Sequence, residues 1–84
     1  MQSAAFVRTV MPTVFCREDA VWIQEQLGML PPAQRGKIAL AYAEAYQAAF
    51  DLAEVSYQQD NAGRRAANTR LRTYVERYSR AGQG

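Results

Sequence analysis

The sequence, 84 residues long, contains no histidine and a single cysteine, Cys16. Without histidine, a Ser-His-Asp triad, a Cys-His pair and a histidine-ligated metal site are all excluded within one chain. One thiol builds neither an internal disulfide nor a thiolate zinc site. No glycine-rich phosphate loop follows a strand. No apolar run approaches the ~18 residues that a membrane-spanning helix requires. The opening "MQSAAFVRTVMPTVFC" lacks a basic start and a long apolar core, and Arg8 interrupts it, so it does not read as a signal peptide. Met11 offers an alternative start, with residues 1–10 then an upstream extension. These absences point to a cytoplasmic chain with no metal, no cofactor and no membrane anchor.

Carboxylates are the remaining route to catalysis. Glu44, Asp51 and Glu54 share one helix face, but it is the predicted solvent face. Solvated carboxylates there are polar cover rather than acid–base groups, so no catalytic residue is assigned and the chain is not expected to be an enzyme.

What is present is an uneven charge. Residues 1–60 hold four basic and seven acidic side chains, a net −3. Residues 61–84 hold Arg64, Arg65, Arg70, Arg72, Arg77 and Arg80 against Glu76 alone, a net +5. A chain polarised in this way suits an acidic partner, or lets two copies attract each other.

The hydrophobic spacing predicts an all-α fold: a small antiparallel bundle of two to three helices with an irregular N-terminal arm, all in one domain. The arm covers 1–15 and the helices 17–28, 32–59 and 63–80. Within the arm, "FVRTV" and "TVF" are β-branched enough for a short strand. Glu18 and Asp19 suit the start of the first helix, and Gly28 is placed to end it as a residue just past the last turn. Cys16, Ala20, Ile23, Leu27 and Leu30 form its apolar stripe. Pro32 suits a first helical turn, where its missing N–H has no partner to lose. Ile38, Tyr42, Tyr46, Phe50, Leu52 and Tyr57 continue one broad apolar face. "DNAG" (60–63) is expected to break the chain before a last helix striped by Ala67, Leu71, Tyr74 and Tyr78.

Three features bear on binding. At about 100° per residue, Arg65, Arg70, Arg72, Arg77 and Arg80 fan over an arc of roughly 160°, with Asn68 and Thr69 near Arg65 and Arg72. Glu76 is placed to pair with Arg72 or Arg80. Such a face serves as solvated cover, as a protein-docking surface or as a nucleic-acid surface. Trp22 lies off the first helix's stripe and needs a cover. The arm residues Phe6, Val10, Val14 and Phe15 supply one, and a second copy or a foreign partner supplies another. The tyrosine-rich stripe of the second helix is core, or in part the seam of a homodimer.

The blocks "LPPAQRGKIALAYAEAY" and "NAGRRAANTRLRTYVERY", within residues 30–78, resemble small helical proteins encoded by temperate tailed phages and prophages. That resemblance implies a protein made inside the host that acts by binding, with no catalytic residue to carry over. The leading expectation is therefore a non-enzymatic protein-binding module that modulates or inhibits a host or phage complex. Trp22, Tyr46 and Tyr57 would be its apolar anchors and Arg65, Arg70, Arg72 and Arg77 its charged contacts. The alternative is a nucleic-acid-binding accessory protein, for replication, recombination or regulation, that uses the arginine-rich helix.

Overall fold

Helix-forming residues dominate the chain, and the computed structural model is built from them. It describes the backbone of residues 10–83 and the side chains of residues 10–80. A 3-10 turn over Arg17–Asp19 leads into α1 (Ala20–Gly28), followed by α2 (Pro32–Leu52). A second 3-10 turn over Ser56–Gln58 leads into α3 (Gln59–Gln83). Among the described residues there is no strand, and the fold is the expected all-α antiparallel bundle. The Cα atoms extend 41 × 37 × 16 Å, which is two helix layers deep, so each helix keeps a solvent face.

Residue size sets how α2 and α3 meet. Tyr46 of α2 packs over Gly63 of α3, and Tyr42 reaches Asn68, so the two helices run antiparallel. A Cβ on Gly63 would lie 2.7 Å from two Tyr46 ring carbons. This glycine is therefore a gap for a ring and not the expected breaker. "DNAG" falls inside the first turns of α3, and the chain turns earlier, at Ala53–Val55. There Ala53 and Val55 adopt extended backbone angles, and the Gln59 side chain caps the Phe50 carbonyl at 3.1 Å. The second helix thus ends at Leu52 rather than at 59, and the third begins at Gln59 rather than at 63. Leu52 and Tyr57, expected on the apolar stripe, are instead 82% and 80% exposed.

Ile23, Leu27 and Leu30 from the α1 region meet Ile38, Ala39, Tyr42 and Tyr46 of α2 and Ala67, Leu71 and Val75 of α3 in one core. Tyr74 and Tyr78 border it as half-buried residues. Burying a Leu or Ile side chain here contributes about 1.5–3 kcal/mol each.

Gly28 does not end α1 in the left-handed conformation that the sequence suggested. It is the last helical residue, and no glycine among the described residues has positive φ. A side chain satisfies this terminus instead. Arg35 Nε donates to the Leu27 and Leu30 carbonyls, both at 3.0 Å, and Nη2 donates to the Gly28 carbonyl at 3.0 Å. A cation at a helix C-terminus also opposes the helix dipole favourably.

The expected "FVRTV" strand and the proposed covering residue Phe6 lie largely or wholly outside the described residues. "TVF" is an irregular bend, where no neighbouring strand is present to pair with it. Met11, Val14, Phe15 and Cys16 pack against the core, and Val10 stays 55% exposed.

Candidate nucleic-acid interface

The inner edge of α3 is fixed by an ionic cluster. Asp19, only 9% exposed, precedes α1 and meets two α3 side chains that lie two turns or less apart. Arg64 Nε donates to Asp19 Oδ2 at 2.9 Å and Nη2 to Oδ1 at 2.6 Å, a two-pronged pair. Asn68 Nδ2 donates to Oδ2 at 3.1 Å, and Tyr42 Oη donates to Asn68 Oδ1. Glu18 lies 3.9 Å from Arg64 at the exposed side. The Arg64 hydrogen bonds hold the Asp19 carboxyl below its ordinary value against the opposing effect of burial, and Asp19 in turn raises Arg64. Burial pushes the Tyr42 hydroxyl well above the usual phenol range and keeps it a neutral donor.

Tyr46 is part of this interior and not a surface anchor. It is 5% exposed, its hydroxyl donates to Asp60 Oδ1 at 2.8 Å, and Cys16 Sγ lies 3.3 Å away. Burial, followed by the bonds to Cys16 and Asp60, raises its pKa as well. Trp22 is half-buried and packs on the core, with Arg72 Cζ 5.4 Å from its ring centre. The indole is thus covered by the chain's own arginine in a cation–π contact. Tyr57 alone of the three expected aromatic anchors is open to solvent.

The outer face of α3 is different. Arg65, Arg70, Arg72 and Arg77 are all exposed, and none forms an ion pair among the described residues. Glu76, expected to pair with Arg72 or Arg80, pairs with neither. Two shallow grooves run along this face, one on each side of Thr69. The first, of about 290 Å³, is lined by Asn61, Arg64, Arg65, Asn68, Thr69 and Arg72. The second, of about 410 Å³, is lined by Ala66, Thr69, Arg70, Thr73, Tyr74 and Arg77. The four expected arginines therefore share one helix face but divide into two rows. Of the first groove's residues, Asn68 was already expected beside Arg65 and Arg72, whereas Asn61 and Arg64 were not among the expected contacts. On the helical wheel Arg64 falls outside the arginine fan and beside the Leu71 stripe, a signal of its inward role.

No metal-type cluster of three carboxylate or thiol groups occurs among the described residues, and no helix among them is long and apolar enough to cross a membrane. Comparison with protein families, curated proteins and solved structures finds no match for the chain.

Proposed function

We propose that this protein is a non-enzymatic nucleic-acid-binding accessory module and that the outer face of α3 is its binding surface. One observation carries the reading: five exposed arginines on one helix, Arg65, Arg70, Arg72, Arg77 and Arg80, have no acid to neutralise them among the described residues. Polyphosphate backbones supply that missing charge, and released counterions drive the binding. A protein partner is the weaker match to this face. Protein interfaces need an apolar centre, and the exposed large apolar residues are Val10, Val21, Met29, Leu40, Leu52, Val55 and Tyr57, none of them in α3. With Tyr46 buried and Trp22 under Arg72, occlusion by aromatic anchors loses two of its three residues. The resemblance of residues 30–78 to temperate-phage proteins fits an accessory role in the host cytoplasm.

The test is fluorescence anisotropy of labelled oligonucleotides titrated with the full chain at two salt concentrations. Micromolar or tighter binding that weakens steeply with salt supports the reading. An absence of binding at low salt removes it.

A second reading concerns protein contacts. Leu52 (82% exposed), at the end of α2, and Val55 (39%) and Tyr57 (80%), in the link that joins α2 to α3, lie within six positions of chain. A second copy docked on this apolar link would make the homodimer. Light scattering should then give twice the 9.4 kDa chain mass, and Leu52→Glu should return the monomer. A monomeric wild-type chain across the concentration range contradicts it.

A further inference from the structure

We infer that the occupant of the α3 face is B-form duplex DNA, with the helix lying in the major groove and its two arginine rows gripping opposite phosphate strands. This rests on the nucleic-acid reading above and adds the form of the ligand and the way it binds.

The arrangement of the rows carries the inference. Arg65 and Arg72 line one groove of the face, and Arg70 and Arg77 line the other. On an ideal helix the two rows stand about 120–160° apart, on separate flanks of the face. Within each row the two arginines are seven positions apart, about 10 Å along the axis. A single strand lying along one row would leave the other in water. A B-form major groove is about 12 Å wide, admits one helix, and has a phosphate strand on each side. The rows match those two walls.

The surface between the rows lets the helix approach. Thr69 belongs to both grooves, and Ala66 and Thr73 flank it. Between Ala66 and Thr73 no large side chain occupies the mid-line; exposed Arg80, eleven positions beyond Thr69, is the basic side chain that falls on it. Thr73 Oγ1 donates to the Thr69 carbonyl at 3.0 Å, so its hydroxyl proton is already used within the helix. Few hydrogen-bonding groups then face the bases, which fits weak sequence preference, because phosphate contacts position but do not specify. Glu76 is exposed between the Arg72 row and the helix mid-line. There it meets base edges, where a carboxylate accepts from a cytosine amino group, rather than a phosphate wall.

RNA duplexes are excluded by the same geometry, since their A-form major groove is too deep and narrow for a helix. Binding of the full chain is measured to one sequence as DNA duplex, RNA duplex and single strand, and to a DNA duplex whose cytosines carry bulky C5 substituents that fill the major groove. Thr69→Phe is titrated beside the wild type. It adds bulk at an exposed site between the rows without changing charge. The inference expects the unmodified DNA duplex to bind most tightly. Groove filling and Thr69→Phe should each weaken binding by about tenfold, because a lifted helix loses the contacts of one row. Equal affinity for all the nucleic acids, with Thr69→Phe neutral, overturns this mode and leaves nucleic-acid binding standing. Competition by poly-glutamate of matched charge as effective as that by the duplex assigns the face to an acidic protein instead. No binding to any nucleic acid ends both readings.

Discussion

Arg64 and Arg65 are neighbours in sequence and opposite in role. Arg64 turns inward, takes both oxygens of Asp19 and joins α3 to the start of α1. Arg65, one position on and about 100° further round the helix, is exposed and forms no ion pair among the described residues. The whole of α3 repeats that division. Its inner side, with Gly63, Ala67, Leu71 and Val75, is shaped to fit α2 and α1, while its outer side carries charge that the rest of the chain does not answer. An arginine's role in a basic helix is thus decided by whether an acid reaches it from elsewhere in the fold. Positive charge alone does not decide it.

Substitutions on the two sides should behave oppositely, and the inner side gives the largest effects. Leu71 is 1% exposed at the centre of the core. Leu71→Ala should cost about 3 kcal/mol in urea unfolding, from lost burial and the cavity left behind. A loss under about 1 kcal/mol would mean that the inner side packs less closely than described.

Asp19→Asn removes the carboxylate from the Arg64 and Asn68 contacts and should cost about 2 kcal/mol, in the range for hydrogen bonds to charged groups. The pH dependence follows from the sign of the shift. The folded-state pKa of Asp19 is depressed, so its contribution is fully present above the unfolded carboxylate value, about 3.9, and disappears as pH falls through the lower folded value. Wild-type stability should therefore drop, as pH falls below about 4, by more than that of Asp19→Asn. Parallel curves for the two proteins would deny the pair its role.

Gly63→Ala sets two effects against each other. Alanine favours a helix over glycine by about 1 kcal/mol, and overpacking costs about 1–3 kcal/mol. With ring carbons 2.7 Å away the steric cost should win, giving a net loss of about 1 kcal/mol in thermal melts. A stabilised variant would show that Tyr46 yields easily.

The smallest change in stability belongs to the outer side. Arg72→Ala loses the contact over Trp22, about 0.5–1 kcal/mol at most, and uncovers the ring. Trp22 is the only tryptophan, so its emission should shift in that variant. It should shift in the same sense when wild-type Arg72 leaves the ring for a phosphate. An emission spectrum indifferent to both changes would place Arg72 elsewhere in solution.

Much of this division was legible in the sequence, and the exceptions share a cause. The apolar spacing of Ile23, Leu27, Ala67 and Leu71 marked the core, and the charge imbalance after residue 60 marked the outer face. Gly63 was misread as a breaker because a glycine in a turn and a glycine under a ring look alike until the ring is known. Tyr57, named as an anchor, was also placed on the second helix's apolar stripe because the apolar period continues past Leu52, whereas the helix ends where α3 must fold back. Tyr46 and Trp22 were expected as anchors because periodicity does not show that Asp60 and Cys16 bond to the one, or that Arg72 lies over the other. The Asp19–Arg64 pair spans 45 positions, a distance over which local pattern carries no information.

The salt dependence of duplex DNA affinity, compared between the wild type and a variant with Arg65, Arg70, Arg72 and Arg77 all changed to alanine, tests the central claim most directly. Four phosphate contacts predict a wild-type slope of log affinity on log salt of about −3.6, reduced towards zero in the variant. The variant's unfolding curve should stay within about 1 kcal/mol of the wild type, most of it from the lost Arg72–Trp22 contact. A slope that survives the four substitutions, or a variant that unfolds, would contradict the assignment of these arginines to a ligand rather than to the fold.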